Sequence, residues 1–274
     1  MNKTWRPTPL IAASLALHAG AAGALLWQPG AWPWWLGSLV ADHALLTAAG
    51  LWPRSRLLGP NWTRLPEAAA ARSEVAVTID DGPDPEATPR VLDLLDQAGA
   101  RATFFCIGQQ ARRYPALCRE IVARGHAVEN HSQHHHHSFS LRGPRALARE
   151  VDAAQQTLAE ITGVKPRFFR APAGLRNPFL EPVLHRRDLT LASWTRRAFD
   201  TRQRDPARVL AILSRDLAGG DILLLHDAHA ARTLSGQPVI LDVLPGLLDA
   251  IRRQGLNTVT LAEALDGAAN RIQS

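Results

Sequence analysis

From Val75 onward the chain alternates short apolar runs with amphipathic segments of helical length, and this alternation limits the fold more than any other feature. The runs VAVTI, ATFFCI, HAVEN, RFFRA, LTLASW, DILLLH and NTVTL read as strands, and 85–98, 109–124, 144–162, 177–187 and 239–253 read as helices. In 144–162, Leu147, Val151, Ala154, Leu158 and Ile161 recur every three or four residues, which lines one helix face with apolar side chains. Strands that alternate with helices form a mainly parallel sheet, because each crossover brings the chain back to start the next strand at the same end. About seven such strands predict an α/β barrel, and such barrels gather their chemistry at the carboxyl ends of the strands.

Ionisable residues stand at those ends. VAVTI runs into Asp80 and Asp81, then a Gly82-Pro83 turn. HAVEN is followed by His131 and the run His134–His137, RFF by Arg170, Pro172 and Gly174, LTLAS by Trp194 and then Asp200, and ILLL by His226 and Asp227. Adjacent carboxylates raise each other's pKa unless a positive charge shares the site. Asp81 with His131 and His135 supplies one carboxylate and two imidazoles, the donor set of a catalytic metal with a position left open to water. The i, i+4 spacing of His131 and His135 predicts both on one face of a helical turn. His134, His136 and His137 are near neighbours, and a histidine-rich loop also binds metal adventitiously. Asn130 is expected to hydrogen-bond behind the metal-binding residues. Trp194 reads as a core or a substrate-side aromatic, and His126, His185 and His229 read as structural.

Residues 1–74 have a different composition. Pro9–Trp27 is a near-continuous apolar run of a length that suits a bilayer span, and a second run, Ala31–Trp52, follows a short break flanked by Trp27, Trp32, Trp34 and Trp35. Asp42 and His43 interrupt the second run and are costly in lipid. Lys3 and Arg6 precede the runs and Arg54, Arg56 and Arg64 follow them, which favours a helical hairpin with both ends in the cytoplasm. A single span instead places the following domain in the periplasm, and a cleavable signal peptide is the third reading of the first run. The expected organisation is a membrane-anchoring region over 1–52, a linker over 53–73 and a catalytic domain over 74–274, held at a bacterial inner membrane. The net charge of +6 is spread along the chain with no basic stripe, so the lipid bilayer is an expected partner and nucleic acid is not. Two cysteines, Cys106 and Cys118, make no disulfide framework and fit a reducing compartment. No protein partner is inferable.

The motifs TIDDGPD, NHSQH, RAPAG and LLH, in that order between Val75 and Leu261, resemble those of the polysaccharide deacetylases, the NodB-homology or carbohydrate esterase family 4 domains. The resemblance implies a distorted (β/α)7 barrel and metal-dependent removal of N-acyl groups from amino sugars. It implies Asp80 as catalytic base, Asp81, His131 and His135 as metal ligands, Arg170 as the residue that orients and neutralises Asp80, and His226 as general acid. Leu224 would line the acyl pocket, the Ala173 N–H would face the oxyanion, and Asp200 would orient His226. The metal would be Zn2+, with Co2+, Ni2+ or Mn2+ as substitutes, and the substrate an N-acylated sugar or glycan of the cell envelope, or a lipid-linked sugar. Two positions depart from the pattern. Ala173 stands where the family usually has an aromatic residue, and RAFDT (Arg197–Thr201) replaces a DxxDW motif, keeping only its second aspartate. A different metal-dependent barrel amidohydrolase, drawing on the H-x-H pairs of His134–His137, and a non-catalytic membrane-anchored metal-binding protein are the rival readings.

Overall fold

A computed structural model describes residues 4–269. The chain opens with a helical hairpin of α1 (Pro9–Trp27) and α2 (Trp32–Leu51). Among the described residues α1 alone has both the length and the hydropathy to cross a membrane, as an anchor or a signal sequence does. α2 has the length but carries Asp42 and His43. Those polar groups turn toward α1. Ser14 Oγ donates to Asp42 Oδ2 at 2.7 Å, and the Nε2 atoms of His18 and His43 lie 3.3 Å apart. Trp27, Trp34 and Val40 stay exposed, at 91%, 82% and 62%. Thr8 Oγ1 donates to Leu57 O at 2.7 Å, so the two open ends of the hairpin meet.

The segment between the hairpin and the first strand packs closely against the sheet. Leu58, Leu65 and Ala69 are buried, Trp62 bridges to Ala192, and α3 (Glu67–Ala70) leads into the first strand. The sheet has β1 (Glu74–Asp80), β2 (Ala102–Cys106), β3 (Ala127–Asn130), β4 (Phe168–Phe169), β5 (Thr190–Leu191), β6 (Arg196–Arg197), β7 (Ile222–His226) and β8 (Asn257–Thr258). Every pairing is parallel, in the order β5-β4-β3-β2-β1-β7-β6, with β8 beside β1. The crossovers carry α4 (Thr88–Gln97), α5 (Gly108–Arg113), α6 (Pro115–Ala123), α7 (Pro144–Thr162), α8 (Leu180–His185), α9 (Pro206–Ser214) and α10 (Val239–Arg253), and α11 (Leu261–Ala269) comes after β8. This is the curled parallel sheet wrapped by helices that the alternation predicts, a distorted (β/α) barrel.

The local differences have physical causes. The helix expected over 109–124 is two helices, because Pro115 has no N–H and pushes Tyr114 out of helical geometry (φ −128°, ψ 58°). β6 lies in the polar RR pair and has no apolar alternation to announce it.

Strand parity decides which side chains enter the barrel. Val75, Val77 and Ile79 of β1, with Phe104, Leu223 and Leu225 of its neighbours, pack outward among Val91, Leu92 and Leu95 of α4 and Leu244 and Leu247 of α10. Ala76, Phe105, Phe168, Ile222 and Leu224 fill the inside together with Trp194. The same parity sends Thr78 and Asp80 inward, and the β1–β7 register aligns Thr78 with Leu224 and Asp80 with His226.

The hairpin is keyed to the barrel by close backbone approach. Arg176 N–H donates to Gly50 O at 3.1 Å, and a Cβ on Gly50 would sit 2.1 Å from Arg176 O. Gly50→Val is therefore expected to lift the hairpin away while the barrel stays folded. Limited proteolysis of the detergent-solubilised protein should show faster cleavage within residues 53–64 with an unchanged near-ultraviolet dichroism spectrum; equal cleavage rates would contradict this docking.

Candidate active site

Asp80 is buried, and its charge is met by a single guanidinium. Arg170 Nη1 donates to Asp80 Oδ1 at 2.6 Å and to Thr78 Oγ1 at 2.9 Å. Nη2 donates to Ser193 O at 2.8 Å and Nε to Ala192 O at 3.2 Å, while the group lies 4.0 Å over the Phe105 ring. Arg170 is 1% exposed, so these contacts replace nearly all of its hydration.

Strand alternation alone would turn Asp81 away from Asp80. Its left-handed backbone (φ 80°) turns it back toward the same histidine. His131 Nε2 lies 3.3 Å from Asp81 Oδ1 and 3.8 Å from Asp80 Oδ2, and His135 Nε2 lies 3.3 Å from Asp81 Oδ1. His131 and His135 do not share a helical turn as their spacing predicts. They meet through an irregular loop in which Ser132 and His135 have positive φ (63° and 50°), and their ring centroids are 4.8 Å apart. Asn130 ties that loop down. Its Oδ1 accepts the Ser132 N–H at 2.9 Å, and its Nδ2 donates to Val151 O and to Gln155 Oε1.

These three side chains fit a divalent metal. His131 Nδ1 is 2.8 Å from Arg170 O, which can only accept, so the ring proton resides there and Nε2 presents a lone pair. Asp81 Oδ1 is buried without a hydrogen-bond partner. Burial, then the neighbouring His131, push the His135 pKa down to about 4, so that imidazole is neutral at physiological pH. Lone pairs from two nitrogens and one oxygen thus converge with no proton between them, which a cation resolves. His134 and His136 face elsewhere, with His134 Nδ1 2.9 Å and His136 Nε2 3.6 Å from Glu150 Oε1.

His226 stands across from this set. Its N–H donates to Asp200 Oδ2 at 2.7 Å and its Nδ1 lies 2.9 Å from Asp200 Oδ1. Burial alone would lower the His226 pKa, but the charge and hydrogen bond of Asp200, with Asp80 and Asp81 behind, raise it to about 9. With Nδ1 committed to Asp200, Nε2 is the nitrogen left to act on another group.

Ala173 is exposed with a left-handed backbone (φ 56°), a conformation that costs energy and concentrates at functional sites. Leu224 and Trp194 are buried inner-face residues, and Trp194 lies under both Arg170 (5.9 Å) and Arg197 (5.2 Å). His126 is buried at the amino ends of β2 and β3, where its Nδ1 accepts the Ala102 N–H at 3.3 Å, as a structural histidine does. His229, read from the sequence as structural, is at the site: its Nδ1 is 3.2 Å from Asp81 Oδ2, the oxygen not facing the other two histidines. Its position three residues after His226, just beyond a strand end, is the signal that could have marked it. A cavity of about 400 Å³ opens over these groups, lined by Asp81, Gln109, Gln110, His135, His137 and His229 among others.

Known proteins resemble this chain in sequence and in fold. A family model described as polysaccharide deacetylase matches residues 67–192. A peptidoglycan-N-acetylglucosamine deacetylase of Bacillus cereus is 31% identical over 70% of this chain and 87% of its own length. A chitooligosaccharide deacetylase of Azorhizobium caulinodans is 34% identical over 57% of this chain and 74% of its own. Among solved structures, a family 4 carbohydrate esterase from Streptomyces lividans in complex with acetate superposes with a TM-score of 0.61 at 32% identity, covering 68% of this chain and 91% of that one.

Two measurements probe the geometry directly. In the metal-free protein, the His226 imidazole should titrate near pH 9 by NMR, and Asp200→Asn should lower that value by at least about one unit; an unmoved titration would remove Asp200 as the cause. His229→Ala should weaken divalent-cation affinity by roughly 10–100-fold, as loss of a group that orients a ligand does, whereas His131→Ala should abolish stoichiometric binding; chelator competition reads both.

Proposed function

The chain belongs to the polysaccharide deacetylase family, and on that premise we propose that it hydrolyses the N-acyl amide, N-acetyl in the first instance, of an amino sugar in a membrane-associated glycan or lipid-linked sugar. It is a hydrolase of carbon–nitrogen bonds other than peptide bonds. The observation that carries the reading is one of register: Asp80 and His226 are aligned on neighbouring strands of the inner face, and His131 Nε2 lies within 3.8 Å of Asp80 as well as 3.3 Å of Asp81.

Asp81, His131 and His135 would hold the cation, and the mixed imidazole and carboxylate set fits Zn2+, with Co2+, Ni2+ or Mn2+ as substitutes. When bound, such an ion supplies Lewis acidity, which favours water ionisation and carbonyl polarisation. Asp80, held in position by Arg170, takes a proton from the attacking water as the water oxygen bonds to the amide carbon. The carbonyl oxygen gains negative charge, and the backbone N–H of Ala173 would donate to it, the kind of contact worth about 2.7–4 kcal/mol in transition-state stabilisation. His226 Nε2 delivers a proton to the nitrogen as the carbon–nitrogen bond breaks, and Asp200 stabilises the imidazolium beforehand. The products are the free acid and the amino sugar. Leu224 bounds the space for the acyl group, with Trp194 beside it.

The hairpin supports a membrane-associated substrate. The open ends of the two helices meet at Thr8 and Leu57, and Arg6, Arg54 and Arg56 lie near that end, so the positive charge favours the cytoplasmic side for that end and for the domain. On that side a lipid-linked sugar would be an N-acylated substrate within reach of a membrane-held domain.

The test is to incubate the metal-loaded protein with free and lipid-linked N-acyl sugars and measure released acid. Asp80→Asn should retain the metal and lose at least about 100-fold in turnover, the usual contribution of a general base. Full turnover in that variant would reject Asp80 as base, and release of acid from none of the sugars would reject the proposed reaction.

A further inference from the structure

Arg197 is a cation without a counter-charge, placed inside the mouth of the barrel. It is aligned with Leu224 of β7, which is aligned in turn with Thr78 of β1, so the three share the inner face one pleat from the Asp80–His226 row. Its guanidinium carbon lies 5.2 Å from the Trp194 ring and 4.8 Å from the Phe199 ring. Trp194 also lies under Arg170, so a single indole separates Arg197 from the guanidinium that holds Asp80. Arg197 is half-buried, its Nε is buried with no hydrogen-bond partner, and among the described residues no carboxylate pairs with it. The neighbouring cations differ. Arg196 donates to Asp221 Oδ2 at 2.7 Å, and Arg170 is filled by Asp80. The nearest acid along the chain, Asp200, is committed to His226 through two bonds of 2.7 and 2.9 Å. Arg54 reaches the same edge from the segment after α2, donating to Thr195 O at 3.3 Å, and it too has no carboxylate partner among the described residues.

A half-buried guanidinium loses hydration, and the loss is recovered only by an anionic or strongly accepting partner. Two aromatic rings pack against this one, and phosphate and carboxylate match a guanidinium through paired hydrogen bonds. The hydroxyls of a neutral sugar leave the charge unmet. We propose that Arg197 forms an anion subsite beside the catalytic centre and that the preferred N-acyl sugar carries a phosphate or carboxylate close to its amide. The inference rests on the deacetylase reading for its substrate but on Arg197 alone for its charge.

The experiment compares kcat/KM of the metal-loaded protein for a neutral chitooligosaccharide, N-acetylglucosamine 1-phosphate and N-acetylmuramic acid. At least one anionic substrate should be preferred by about tenfold, the scale of one charged hydrogen bond, with the gain in KM and a decline as salt is added. Arg197→Gln should bring the ratio close to one, and Arg197→Lys should restore part of it. A preference confined to the phosphate arm assigns a sugar phosphate, such as a lipid-linked one, and a preference confined to the carboxylate arm assigns an acidic sugar. No preference, or a preference unchanged in Arg197→Gln, would overturn the subsite. Calorimetric binding of N-acetylglucosamine 1-phosphate to the Asp80→Asn protein, with and without Arg197→Gln, decides the matter apart from turnover. Binding that depends on Arg197 with no hydrolysis of any sugar would defeat the proposed reaction and leave the subsite standing, whereas equal binding would defeat the subsite whatever the turnover.

Discussion

The ion pair between Arg170 and Asp80 is the interaction on which the site and the barrel both depend. Its guanidinium gathers Asp80 and Thr78 from β1, the Phe105 face from β2, and the carbonyls of Ala192 and Ser193 beyond β5. Strands far apart in the sheet order are thereby drawn to one point at their carboxyl ends. A buried pair of this kind adds little net stability over an apolar substitute, but removing one partner costs on the order of 3–5 kcal/mol, because the other is left charged and dry. The arrangement therefore resists loss of either residue more strongly than its own contribution to folding would require. The backbone of the same arginine performs a second task, since its carbonyl fixes the tautomer of His131. Asp80 and His131 are oriented through one residue.

That coupling explains why the pair of carboxylates at the end of β1 can serve two purposes. Asp80 follows strand parity into the barrel, whereas Asp81 breaks parity through its positive φ and turns to the histidines. The alternation of strands and helices, the place of Asp80 and Asp81 at a strand end, and the meeting of Asp81 with His131 and His135 were legible in the sequence, because apolar periodicity and strand-end chemistry are local signals. The path by which His131 reaches His135 was not. Spacing of four suggested a helix, but Asn130 binding back to the Ser132 N–H makes a loop instead, and such competition between a side chain and the backbone has no period to read. His229 was missed for a related reason. Its role rests on a left-handed residue (φ 59°) just past a strand, where sequence alone gives no side-chain direction.

The segment Trp194–Thr201 shows how a motif can lose most of its letters and keep one physical task. Asp200 holds His226 through both the backbone N–H and the imidazole, so that ring stays oriented although Arg197 and Thr201 stand at other positions of the pattern. β6 explains how this is possible. Arg196 and Arg197 add to the edge of β7 in fixed register, and that pairing holds the segment whatever its side chains are. The residues of β6 are thereby free to set the charge of the groove without disturbing the acid next to it.

The hairpin enters the same account through backbone contacts. Pro53, just past α2, accepts a hydrogen bond at its carbonyl from Ser193 Oγ at 2.7 Å, and its ring is what a Cβ on Gly174 would meet at 2.8 Å. Ser193 is also where Arg170 Nη2 is anchored, and Gly174 is the residue after Ala173 at the mouth. The end of α2 is thus two hydrogen bonds from Arg170. The hairpin and the residues that anchor Arg170 are joined through Pro53 and Ser193, so a bilayer around α1, as proposed above, would hold the catalytic centre near the lipid surface. Under that proposal, Arg197, which no carboxylate pairs among the described residues, and an anionic group next to a membrane-held sugar would meet complementary demands at the mouth.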